Sequence, residues 1–156
     1  MGKSESVRAV SVLVWLAEGT WEACVDAARE QDGEVTLLHV LDVDTEAAMS
    51  GSAGLLGRVA GADPVELLTR AENLLLANAE ARLGRSARKL TLRGRPERVV
   101  VAACADADVL VLARDGDRGR LGPKSLGHRT RFVVDHAPCT VLLVWPGPPP
   151  PTSTLP

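Results

Sequence analysis

Five short runs of apolar β-formers, each separated from the next by a helix-length segment, constrain this chain more than any other feature. They are Val7–Leu16 (VRAVSVLVWL), Glu34–Val43 (EVTLLHVLDV), Lys89–Gly94 (KLTLRG), Asp108–Arg114 (DVLVLAR) and Cys139–Trp145 (CTVLLVW). Near-continuous apolar runs mark strands covered on both faces, as in parallel sheets with helices packed above and below. Between them, GTWEACVDAAREQDG reads as a helix with Thr20 at its N-cap and Gly33 as its stop. Asp63, Pro64 and Glu66 form a capping-box pattern, Gly84 closes the far end, and Leu68, Ala71, Leu75, Ala79 and Leu83 recur at helical spacing. RPERVVVAACADA and GHRTRFVVDHA supply two further helices, whereas Met49 to Ala62, rich in Gly, Ser and Ala, reads as a loop with at most a helical turn. The order β-α-β-loop-α-β-α-β-α-β predicts an α/β fold of the Rossmann-like kind: an open, doubly wound, five-stranded parallel sheet of order 3-2-1-4-5, helices on both faces.

At 156 residues the chain can form one domain with a full core, expected over residues 1–146. Pro146 ends the last strand, and residues 147–156 are a proline-rich tail that need not pack. Lys3, Glu5 and Arg8 interrupt the start and no apolar run reaches membrane-spanning length, so a cytoplasmic protein without membrane contact is expected. Cys24, Cys104 and Cys139 have no metal-type spacing and are expected to be reduced, mostly buried thiols. With three Trp, one Phe and no Tyr, the chain lacks stacking platforms for single-stranded nucleic acid, and no nucleic-acid partner is expected.

In a sheet of this order, ligands bind at the carboxyl ends of the strands where the winding reverses, between strands 1 and 4. The stretch that follows strand 4, ARDGDRGRLGPKSLGHRT (Ala113–Thr130), therefore occupies the binding position. From Arg114 to Arg131 there are six Lys/Arg against two acids, a local +4 that leaves −6 for the remainder. An acidic protein with one basic, glycine-punctuated loop is expected to hold a small phosphorylated ligand there, with Arg114, Arg118, Arg120, Lys124 and Arg129 as donors. GRLGPKS is not a P-loop, because Pro123 separates Gly122 from Lys124 and removes an N–H. DGDRG is not a calcium loop, because Arg120 and Leu126 stand at its sixth and twelfth positions. Asp115 and Asp117 are expected to pair with neighbouring arginines, and to assist Mg2+ only if a nucleotide is bound. His39 reads as a packed, satisfied core histidine, His136 as a helix cap, and Trp15 and Trp21 as core.

ADVLVLARDG, the following glycine and helix, HAPCTVLLVW and LLHVLDV together resemble the universal stress protein domain over Val7 to Pro146; the HAPC ending, His136 to Cys139, is the most specific part. The resemblance implies ATP or ADP bound by a Gly-x2-Gly-x9-Gly-Ser/Thr pattern after strand 4 and an Asp closing strand 1. Carried onto this sequence, the site residues are Ala17, Leu41, Ala113, Arg114, Gly116, Arg118, Gly127, His128 and Arg129. Three depart from the pattern: Ala17 stands for the Asp, Ala113 for the first glycine, and His128 for the Ser/Thr, with Gly127 one residue late. The resemblance also implies a homodimer through the edge strand Thr140–Trp145 and a regulatory role. The alternatives are a ligand-free dimeric interaction protein and, behind it, a nucleotide phosphohydrolase; no general base with a positioned partner is evident, so no enzyme is expected.

Overall fold

The computed structural model describes residues 7–55 and 63–156. Its elements follow the apolar runs: β1 (Ser11–Leu16), α1 (Trp21–Arg29), β2 (Glu34–Asp42), α2 (Val43–Leu55), α3 (Pro64–Leu83), β3 (Arg88–Gly94), α4 (Pro96–Ala103), β4 (Val109–Ala113), α5 (His128–His136) and β5 (Thr140–Val144). The sheet has the order β3-β2-β1-β4-β5 with every pairing parallel. β1 lies between β2 and β4, with Leu16 beside His39 and Val14 beside Val111. The winding therefore reverses at β1, as expected.

Strand alternation divides the core in two. Val12, Val14, Leu16, Val35, Leu37 and Val111 face α1 and α3, where Cys24, Val25, Ala28, Leu76, Ala79 and Leu83 meet them. Leu13, Trp15, Leu38, Val40, Leu110 and Leu112 face α4 and α5, against Val100, Cys104 and Val133. Burial on both faces is the reason these strands read as unbroken apolar runs.

Several boundaries differ from the sequence expectation. β1 begins at Ser11 instead of Val7, whose side chain is exposed. The expected loop from Met49 is helical as far as Leu55, because Asp42 accepts hydrogen bonds from the Asp44 N–H (3.0 Å) and the Thr45 hydroxyl (3.0 Å) and starts a helix there. The rest of that expected loop, residues 56–62, lies outside the described residues, as do Lys3 and Glu5. Thr20 stands at the N-cap of α1 but does not accept from the helix; its hydroxyl points back to the Ala17 carbonyl at 3.4 Å. Asp63 caps α3 through the Val65 N–H, and Gly84 closes it at φ +75. On α3, Leu76, Ala79 and Leu83 are buried while Ala71 is exposed, so only the C-terminal half of the helix sits on the core. The proline-rich tail forms a single 3-10 turn, Thr152–Thr154, and the Thr154 hydroxyl oxygen accepts from the Leu121 N–H at 3.1 Å.

Candidate functional site

At the carboxyl ends of β1, β2 and β4 lies a cleft of about 600 Å³. Its apolar wall comes from Trp15, Leu16, Val40, Leu41, Met49 and Leu68, and its polar rim from Glu18, Asp42, Thr45, Glu46, Asp115 and Arg129. Of the expected site residues, Ala17, Leu41, Ala113 and Arg129 line this cleft. Ala17 follows β1, with its carbonyl accepting from the Thr20 and Trp21 N–H groups, and the turn carries no side-chain acceptor at that position. Gly116, Gly127 and His128 are on the loop and the first turn of α5, while Arg118 is exposed.

The cleft is acidic despite the basic loop beside it. Four carboxylates line it, and Arg129 is the one cation among the described lining residues. Arg129 is already engaged: its Nη1 donates to Asp42 Oδ2 at 2.7 Å, and its Nε lies 3.7 Å from Glu97 Oε2. That hydrogen bond holds the Asp42 carboxyl below its ordinary range and raises the Arg129 guanidinium. Arg93 pairs with Glu46 in the same way. Arg129, expected to bind phosphate, thus ties the end of β2 to α5.

The loop is closed on itself. The Gly116 N–H donates to the Ser125 carbonyl (2.9 Å) and the Asp117 N–H to the Lys124 carbonyl (2.8 Å), so the two arms of the loop are held together. A Cβ at Gly116 would lie 2.2 Å from the Lys124 carbonyl oxygen, which is why this position is glycine. Ser125, 1% exposed, donates to the Gly122 carbonyl and accepts from Arg114 Nη1. The Arg114 guanidinium lies 4.7 Å from the Trp145 ring centroid, a cation–π contact that turns it away from the cleft. The Arg118, Arg120 and Lys124 side chains are exposed and have no hydrogen-bond or ion-pair partner among the described residues.

Asp115 and Asp117, expected to pair with arginines, accept from other groups instead. Asp117 accepts from the Gly119 N–H at 2.8 Å. Asp115 bridges to α5: Oδ1 accepts from the Gly127 N–H at 2.7 Å and Oδ2 from the Thr130 hydroxyl at 2.8 Å. Thr130 is 2% exposed, so its hydroxyl has been withdrawn from water and needs that acceptor. A hydrogen bond of this kind contributes about 1 kcal/mol. It also places a carboxylate against the positive end of a helix, where an anion is favoured.

An ATP or ADP phosphate chain would find several of the loop's N–H groups already engaged. A phosphate cradle needs free N–H groups and a vacant helix N-terminus. Here the N–H groups of Gly116, Asp117, Gly119 and Gly127 all have acceptors within the chain, and a carboxylate stands against the first turn of α5.

His39 was missed as a cleft residue. It lines both this cleft and an adjoining groove of about 440 Å³ walled by Trp21, Leu68, Leu74 and Leu75. Its Nδ1 is buried without a partner, contrary to the satisfied histidine expected, and burial pulls the ring's pKa below its ordinary value. The available signal was position: His39 is opposite Leu16, the last residue of the strand at which the winding reverses. Asp42 carries the same kind of signal, ending β2 at the cleft rim.

Among the described residues, no helix is long and apolar enough to cross a membrane, and no group of three His, Cys, Asp or Glu side chains is placed to hold a metal ion. Comparison of the fold finds hypothetical protein MJ0577, the subject of a structure-based assignment of biochemical function, at 21% identity and a TM-score of 0.64, covering 89% of this chain and 97% of that one. Universal stress protein UspA from Lactobacillus plantarum matches at 18% identity and a TM-score of 0.58, covering 88% and 98%. Hypothetical protein PH0823 matches at 22% identity and a TM-score of 0.60, covering 86% and 95%. No curated protein matches significantly by sequence. The model of the universal stress protein family matches residues 3–144, and this chain belongs to that family.

Proposed function

We propose that this protein is a regulatory binding protein, not an enzyme, whose cleft at the ends of β1, β2 and β4 takes a nucleoside-sized ligand that brings no phosphate to α5. The observation that carries this reading is the pairing of an apolar slot with a carboxylate rim: Trp15, Val40, Leu41 and Met49 form the walls, and Glu18 and Asp42 lie at the mouth. An apolar slot buries a flat heterocycle, and carboxylates accept hydrogen bonds from ligand hydroxyls or amines. The same carboxylates repel a nucleotide's phosphates. An ATP- or ADP-binding role with Mg2+, the expectation from the family, is the reading this geometry disfavours.

The experiment is a thermal melt with adenosine and with ATP, each in large excess. Mass action at a hundredfold excess over Kd stabilises by about 2.7 kcal/mol, well within detection. Adenosine raises the melting temperature of the wild type and raises that of Leu41→Ala less; no shift with any uncharged nucleoside refutes the reading.

A second reading concerns assembly. β5 is a sheet edge, and Val141 to Val144 are only half buried in the single chain. An apolar edge of this kind invites pairing with a second copy. We propose a homodimer through Thr140–Trp145, checked by sedimentation equilibrium; a monomer at micromolar concentration refutes it.

A further inference from the structure

We infer that the Asp115 carboxylate is the chain's own substitute for a ligand phosphate: it stands at the start of α5 on the Gly127 N–H and the Thr130 hydroxyl, keeps the 114–127 loop closed without ligand, and sets the cleft against phosphorylated ligands. Three observations meet at this residue. Both carboxylate oxygens are engaged by α5, one by the Gly127 N–H at 2.7 Å and one by the buried Thr130 hydroxyl at 2.8 Å. The fit is close, since a Cβ on Gly127 would come within 2.9 Å of Oδ1. Asp115 also lines the cleft together with Asp42, Glu18 and Glu46, so a phosphate approaching α5 meets a field of its own sign.

The sequence shows the device once the contact is known. The basic loop places an acid two residues beyond β4, where it can reach forward to the helix that begins at His128. A ligand phosphate at a helix N-terminus accepts N–H and hydroxyl hydrogen bonds and complements the dipole. Asp115 does each of these things permanently. The loop's closed form, with Gly116 and Asp117 paired to Ser125 and Lys124, then needs no ligand to order it. For selectivity the inference rests on the cleft being the ligand site, and the experiment separates the two.

Full-length wild type, Asp115→Ala and Asp115→Asn are melted alone and with inorganic phosphate, ATP or adenosine. Asp115→Ala is expected to melt about 2–4 °C lower than wild type. Inorganic phosphate should restore most of that loss while leaving wild type unmoved, and ATP should bind Asp115→Ala roughly tenfold tighter than wild type. Asp115→Asn, which fills the same space without charge, should not gain phosphate rescue. Wild type that binds ATP as tightly as Asp115→Ala overturns the inference, as does folded Asp115→Ala that responds to neither phosphate nor ATP, or rescue of Asp115→Asn to the same degree. Should Asp115→Ala not fold, Asp115→Ser carries the same test. If adenosine fails to stabilise any variant while phosphate rescue holds, the nucleoside reading falls and the role of Asp115 stands.

Discussion

Replacing Arg129 distinguishes a phosphate ligand from a structural tie, because the two roles give opposite results. In the structure Arg129 joins α5 to the end of β2 through Asp42 at 2.7 Å, with Glu97 at 3.7 Å. Both side chains of the closer pair are largely withdrawn from water, Asp42 at 16% and Arg129 at 34% exposure. A charge-assisted hydrogen bond in such a setting contributes about 1.5–3 kcal/mol, and partial exposure discounts it toward the lower figure. Arg129→Ala also leaves Asp42 and Glu97 without their shared cation. We therefore expect Arg129→Ala to lose about 1–2 kcal/mol, which for a domain of this size is a fall of roughly 2–8 °C in melting temperature. Urea unfolding of Arg129→Ala, Asp42→Asn and the double variant gives the coupling directly, expected at about 1 kcal/mol. If Arg129→Ala is as stable as wild type and the cycle shows no coupling, the tie is not formed in solution. A stable Arg129→Ala that instead loses an ATP-induced shift would return Arg129 to the phosphate-binding role expected from the sequence.

Three further expectations follow from particular atoms. The Arg129 hydrogen bond depresses the Asp42 pKa in the folded state, so its stabilisation is complete above the unfolded value near about 3.9 and disappears as pH falls through the lower folded value. Acid unfolding curves of wild type and Asp42→Asn should accordingly converge below that range and diverge above it; a constant gap at all pH contradicts the assignment. Gly116→Ala drives a Cβ to 2.2 Å from the Lys124 carbonyl oxygen and should cost roughly 1–3 kcal/mol and open the loop to proteolysis, whereas an unchanged digestion pattern would show that the loop arms do not pair. Burial pushes the Cys24 and Cys104 thiols up to about 12, the latter also through the neighbouring Cys139 thiol, so at pH 8 neither Cys24 nor Cys104 of the native protein should react with a thiol reagent; rapid labelling of either contradicts the packing.

The fold was legible because β1, β2 and β4 announce themselves twice, by β-branched composition and by burial on both faces, and because alternating strands and helices admit few chain paths. Val12, Val14, Leu110 and Leu112 could be placed in a core from the sequence alone. The reach of α2 was not, because its start depends on Asp42 accepting from Asp44 and Thr45, while its composition of Gly, Ser and Ala speaks for a loop. The position of the cleft was legible from strand order. Its chemistry was not, since charge counted along the chain says nothing about partners. Arg114 turns to Ser125 and Trp145, Arg129 turns to Asp42, and the acid among the arginines is the residue that meets the helix. Those partners lie between 11 and 87 positions away in sequence. No local pattern encodes them.

The claim that phosphate is excluded by the chain's own carboxylate is tested most directly on protein as it is purified. Denaturing it after gel filtration and identifying the released small molecules by mass spectrometry gives the answer in one step. The account predicts no stoichiometric nucleoside di- or triphosphate, and any retained compound should lack a phosphate. Stoichiometric ATP or ADP would show that Asp115 yields its place to a ligand, and would contradict the account.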